Sequence, residues 1–260
     1  MVNAYIITMS DNTISVQGCE NARIKAQSYI VQSKNSVRIN TFEATQPIDI
    51  YEHIQDVFGK QVTWSWPTRT EDDGYCLYTG LYKRTYQAAD QNKVVACALS
   101  HYRLWKLCAE SNEPIMVLEH DAEFFRDFDI SQIMEDKKWG AVGLNDPRGN
   151  TRKGQLFHAK VAACGDGINR VPIIDEPTEP PFPMGLAGNS AYLIRPAFAK
   201  KLLDEVARIG MWPNDAVMCR QLFPELKVLY PYATKVRPMG STTTTSTPRT
   251  HGEEHVYFLT

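Results

Sequence analysis

The chain has 260 residues, 43% of them apolar and 22% charged, with a formal net charge of −2. This is enough apolar material for the core of one large α/β domain, and the near-neutral balance excludes a global positive field that would draw the protein to nucleic acid or to an anionic membrane. Six scattered cysteines without a CxxC pair, no apolar run of membrane-spanning length and no signal-peptide pattern lead us to expect free thiols, no integral membrane segment and a cytoplasmic protein.

In chain order, residues 4–8 form a short apolar run closed by Ser10, Asp11 and Asn12, and predict a first buried strand. The stretch with Arg23 and Lys25 reads as a helix, and residues 37–42 as a second strand. Residues 47–90 mix aromatics, turn formers and charges without periodicity, which predicts loops and short helices across the surface. Trp64 and Trp66 lie here and suit either a sugar or base stack or ordinary core packing. From residue 93 to 110 an amphipathic helix is expected, because Val95, Ala98, Tyr102, Trp105 and Ala109 recur three and four apart. Residues 115–118 then form an unbroken apolar run, read as a central strand buried on both faces.

Residues 139–144 and 190–194 give two more strands, and Pro196 opens a helix carrying Phe198, Leu202, Leu203 and Val206. The intervening segment 146–189, rich in proline, reads as long loops or an irregular insertion. Residues 227–232 predict a last strand, and 241–247 a polar low-complexity run. Strands alternating with helices imply one open, mostly parallel sheet covered on both faces, in which ligands bind beyond the carboxyl ends of the strands.

Acidic residues stand at one such end. Glu119 and Asp121 follow the central strand two residues apart, and in extended backbone both would project to one side. Paired carboxylates suit a hard divalent cation such as Mn²⁺ or Mg²⁺, which can bridge protein to a nucleotide diphosphate. A solvated acidic turn is the plain alternative for so short a pattern. Position favours a site, since a polar cluster at the end of a buried strand is costly unless hydrated or occupied.

The segment from Ala96 through Cys97, Ser100 and His101 to Trp105, with residues 115–122 ending in Glu119-His120-Asp121-Ala122, resembles glycosyltransferase family 25. These stretches look like that family's G-C-x-L-S-H-x-x-L-W helix and its apolar strand ending in E-D-D-V, in the same order and spacing. Residues 188–195 and 199–203 are similar to its G-x-x-A-Y-L-I-S stretch and following helix, and Pro213-Asn214-Asp215 to its P-V-D segment. His120 departs from the family's central aspartate, and Ala96 stands where glycine is common.

The resemblance implies a GT-A-like fold and one glycosyltransferase domain over residues 1–260. Its nucleotide-sugar half would be 1–145, its acceptor side 146–240, and 241–260 a flexible tail or lid. It also implies metal-dependent transfer of a hexose or pentose from a nucleotide sugar, most simply a UDP-sugar, to a hydroxyl of a glycan or a hydroxylated protein side chain. A hydroxymethylated base of viral DNA is a further acceptor option. Metal-dependent phosphoester cleavage and a non-catalytic sugar-binding module are the competing classes.

For the metal, the expected ligands are Glu119 and Asp121, with His251 closing from the tail. Ser100, His101, Arg23, Gly188 and Asn189 are expected near the donor. Asp215 is the expected base for the acceptor hydroxyl, with His101 beside it, although Asp215 also suits a first-turn acid and His101 a core-edge histidine bonded to backbone. Gly185 and Gly188 would allow close backbone approach to the sugar or serve a turn. Arg148, Arg152, Lys153, His158 and Lys160 form a basic cluster able to receive an anionic acceptor or clamp the diphosphate, or simply a solvated loop.

Overall fold

The first apolar run becomes β1 (Val2–Thr8), and a polar turn after it feeds α1 (Thr13–Tyr29), whose N-terminus is capped by the Asn12 side chain accepting from the Ser15 amide at 3.0 Å. The computed structural model describes residues 1–31, 36–47, 63–88, 90–149, 153–174 and 179–238. The remaining elements are β2 (Val37–Glu43), the hairpin β3 (Gly74–Tyr75) and β4 (Tyr82–Lys83), α2 (Gln91–Ser111), β5 (Ile115–Glu119) and β6 (Ala122–Phe124). They continue with α3 (Ser131–Glu135), β7 (Ala141–Gly143), α4 (Gly154–Ala162), β8 (Gly167–Arg170), β9 (Ala191–Ile194), α5 (Pro196–Ile209), α6 (Asn214–Val217), β10 (Leu226–Tyr230) and β11 (Thr234–Val236).

Seven strands form one sheet in the order β2-β1-β5-β9-β7-β10-β8. β2, β1, β5, β7 and β10 run one way, while β9 and the edge strand β8 run the other. The sheet is thus mostly parallel, as the alternation of strands and helices leads one to expect, with β9 inserted antiparallel between two parallel neighbours. The chain steps from β1 outward to β2 and then back across to β5, so the carboxyl ends of β1 and β5 flank a topological switch point.

Alternation along β5 divides the core. Ile115 and Val117 join a cluster with Leu99 and Trp105 of α2 and Phe198 and Leu202 of α5. Met116 and Leu118 face the opposite cluster with Ala22 and Ala26 of α1, Phe124 and Ile133. Helices therefore cover both faces, and the four residues 115–118 are buried, as a doubly covered strand requires.

Several expectations need correction. Residues 120–121 form a turn rather than continuing the strand, so the alternation argument for Glu119 and Asp121 stops at Glu119. The segment 146–189 contains α4 and β8 as well as loops, and β6 pairs antiparallel with β11 in a separate ribbon. Within residues 63–88, Trp66, Cys76 and Leu81 are buried, so this part is not wholly a surface wrap. The tail 241–260 with His251, and also Arg152 and residues 48–62, lie outside the described residues. Among the described residues no helix is long and apolar enough to cross a membrane.

Candidate active site at the end of β5

Cys97 and His101 stand four residues apart on α2 and so share one face of the helix, which packs against β5. His101 is fully buried, and both of its ring nitrogens are taken: Nδ1 lies 2.9 Å from the Tyr192 hydroxyl and Nε2 3.1 Å from Glu119 Oε1. The Glu119 carboxylate can only accept, so Nε2–H donates to it; in the neutral ring Nδ1 then accepts from the Tyr192 hydroxyl, whose oxygen also accepts from Trp105 Nε1 at 2.8 Å. Burial holds the Tyr192 hydroxyl well above the usual phenol range and keeps it a donor. A relay from Trp105 through Tyr192 and His101 thus fixes Glu119 as β5 ends.

A second carboxylate approaches from α6. Asp215, in the first turn of that short helix, accepts a 2.6 Å hydrogen bond from the Tyr86 hydroxyl. Burial raises the Asp215 carboxyl above its usual range, the Tyr86 bond lowers it, and the charge of Glu119 raises it again. Tyr86 is itself pushed well up, by burial first and then by Asp215. Behind it, Trp66 packs edge-on to the Tyr86 ring at 6.0 Å and donates to the Arg84 carbonyl at 2.9 Å, so of the stacking and core roles expected for Trp66 the core role holds.

Between these groups sits Cys97, its Sγ 3.8 Å from Asn214 Oδ1. Burial pushes this thiol far up, and the negative charges of Glu119, Asp215 and Asp121 push it further. One thiol therefore senses all three carboxylates. Asp121, in the turn after β5, also accepts at its backbone carbonyl from the Arg237 amide at 2.8 Å. His120 faces away toward α1, with Nδ1 3.2 Å from Ser15 Oγ, and burial lowers its pKa.

Among the described residues, one group brings three ligand atoms close enough to hold a divalent cation. Cys97, His101 and Glu119 bring one ligand atom each within 4.8 Å of one another. That softer set requires a thiol held in its protonated form and a histidine nitrogen already bonded to Glu119. Carboxylate oxygens are harder donors that need neither change, which is the chemical ground for the expected pair Glu119 and Asp121; the turn at residues 120–121 ends the extended geometry on which that pairing rests.

The other expected site residues have the following surroundings. Ser100 is buried, donating to the Ala96 carbonyl and accepting from the Thr45 amide, both at 2.9 Å, and so ties α2 to the chain after β2. Arg23 bonds Thr41 Oγ1 at 2.7 Å and pairs with Glu20, on the α1 and β2 side of the sheet. Gly188 takes φ +71°, a left-handed turn leading into β9. Asn189 is buried beside a cavity of about 10 Å³, room for roughly one water, and its Oδ1 has no hydrogen-bond partner among the described residues.

Gly185 makes a close approach to protein backbone: a Cβ there would lie 2.1 Å from the Asp215 carbonyl oxygen. We expect Gly185→Ala to displace the α6 turn, destabilising the fold by about 1–3 kcal/mol; urea denaturation measures this, and an unchanged midpoint would refute the packing argument. Tyr86 carried no sequence signal, and Tyr192 appeared only within the 188–195 stretch with nothing to join it to His101, a contact made by tertiary folding. Cys97 did carry one, in its spacing of four from His101.

Residues 79–152 match the family described as glycosyltransferase family 25 (LPS biosynthesis protein), and this match supports identification with that family. It spans α2, the turn with Glu119 and Asp121, and the start of the segment after β7; it does not reach Asp215. Among solved structures, mouse xyloside xylosyltransferase 1 in its apo form is similar at a TM-score of 0.40 and 10% identity, over 86% of this chain and 83% of that one. A likeness of that degree carries no argument. No curated protein matches the chain.

Proposed function

We propose, on the premise that residues 79–152 identify a family 25 glycosyltransferase, that this chain moves a sugar from a nucleotide sugar to a hydroxyl acceptor with the help of a divalent metal. The observation carrying the reading is Glu119, held by His101 at the end of β5 with a ligand atom within 4.8 Å of Cys97, beside the switch point of the sheet. UDP-hexose or UDP-pentose is the proposed donor, and a glycan or hydroxylated side chain the acceptor. In this reading the donor half is residues 1–145 and the acceptor side 146–240.

Glu119 and Asp121 would hold Mn²⁺ or Mg²⁺, which when bound supplies positive charge against the departing diphosphate. Glu119 is oriented for this by His101, a positioning residue rather than one that meets the donor. Asp215 would take the proton of the acceptor hydroxyl, its raised pKa making it a stronger base than an exposed aspartate, while Tyr86 fixes its carboxylate.

Two of the cations in the basic cluster are already matched by carboxylates, while Lys160 keeps its charge. Lys153 pairs with Glu179, Arg148 with Asp146, and Lys160 donates to the Ile173 carbonyl at 2.7 Å. The test is hydrolysis of UDP-sugars with Mn²⁺ and no acceptor. Metal-stimulated release of UDP is expected. Binding without turnover would leave a sugar-binding module, and cleavage of a simple phosphoester instead would favour the phosphoesterase class.

A further inference from the structure

The register of the sheet sets four side chains in one row along its carboxyl edge. The Glu119 amide donates to the Ser190 carbonyl at 2.7 Å, Ser190 Oγ donates to Asn145 Oδ1 at 3.1 Å, and the pairing of Val228 with Gly143 brings Tyr230 level with Asn145. Alternation turns all four toward the α2 and α5 face, because Val117, Tyr192 and Val228, each two residues away along the strand, and Ala141, four residues before Asn145, belong to that core cluster. Tyr230 stands three strand spacings from Glu119, roughly 14 Å.

At this far end the surroundings change in kind. Tyr230 and Tyr232 meet edge to face at 5.4 Å, and the His158 ring of α4 lies 6.0 and 5.9 Å from them. Beside the rings Arg148 grips Asp146 through Nε and one terminal amino group, at distances from 2.6 to 3.2 Å. Tyr232 is only 2% exposed, yet its hydroxyl has no hydrogen-bond partner among the described residues, and neither does the buried Nδ1 of His158. Leaving a buried polar atom unsatisfied costs about 1–3 kcal/mol, so two in one cluster are groups that a bound water or a ligand hydroxyl would satisfy.

We propose that Tyr230, Tyr232, His158 and the Asp146–Arg148 pair form a subsite for a neutral sugar ring of the acceptor, an assignment that rests on the transferase reading above. The partly exposed Tyr230 ring, backed by the buried Tyr232, takes the apolar face of a pyranose, and the few polar groups beside it orient it. The ion pair is close to neutral as a unit, yet it presents carboxylate acceptors together with the further N–H donors of the guanidinium, the combination that adjacent sugar hydroxyls require. Arg148, already paired with Asp146, favours an anion less than a free guanidinium would.

The test is saturation-transfer NMR on the full chain, without donor, using methyl β-galactoside, methyl β-glucoside and methyl β-xyloside, with inorganic phosphate as the anionic probe. At least one glycoside is expected to bind, and its Kd to rise about tenfold in Arg148→Ala and in Tyr230→Ala, the loss of one charge-assisted hydrogen bond or one ring face. Arg148 is exposed, so its variant keeps the fold even where Tyr230→Ala melts early. Phosphate binding without glycoside binding, no glycoside signal, or an unchanged Kd in Arg148→Ala overturns the proposal. Donor hydrolysis without glycoside binding would sink this subsite alone, whereas glycoside binding lost in the variants, without donor turnover in the native chain, would sink the transferase reading alone.

Discussion

In Asp121→Asn, Mn²⁺-stimulated hydrolysis of a UDP-sugar is expected to fall by at least about 100-fold, because a carboxylate holding the metal is worth several kcal/mol in the transition state. The change is nearly isosteric. It also preserves the backbone bond from the Arg237 amide that anchors the turn, so the fold should survive. Measuring kcat/KM together with the stabilisation of the chain by Mn²⁺ separates the two effects, since a ligand that binds only the native state raises its melting temperature. Loss of both activity and Mn²⁺ stabilisation, with the metal-free melt unchanged, is the expected pattern. Full activity in this variant would remove Asp121 from the metal site.

Asp215→Asn should lower transfer to acceptor by about 10²–10⁴-fold while leaving donor binding largely intact, the difference expected of a base that acts on the acceptor alone. Asparagine can still accept from the Tyr86 hydroxyl at Oδ1, so the turn keeps its anchor. In the native enzyme transfer should rise with pH through the elevated pKa of Asp215, because only the carboxylate accepts a proton; the variant should lack that limb. Stability runs the opposite way. A carboxyl whose folded pKa lies above its unfolded value binds more protons when folded, so stability declines as pH rises between the two values and remains lower above them. Asp215→Asn should therefore melt higher than the native chain near neutral pH. Equal loss of donor binding and transfer would count against the base, and a lower melting temperature against the burial argument.

The long elements were legible because their patterns are long. α2 and α5 announce themselves by helical spacing, and Pro196 takes the first-turn position where proline is tolerated. β5 was readable as a buried strand from four consecutive apolar residues, but such a run carries no direction. The equally apolar β9 accordingly gave no sign that it runs antiparallel. β6, β8 and β11 have three or four residues each, too few for a period to emerge, and α4 opens with a glycine and no side-chain cap. At the site, the acids were visible as acids at a strand end. What holds them was not: Tyr192 meets His101 across 91 positions and Tyr86 meets Asp215 across 129, contacts that only the folded sheet creates.

The relay from Trp105 through Tyr192 and His101 has a consequence for the timing of recognition. Its members are buried and their hydrogen bonds form with the core, so the rotamer of Glu119 is selected during folding, before any ligand arrives. Little reorganisation energy is then left for the moment of reaction, and the entropy of ordering that side chain is lost once per folding event rather than once per turnover.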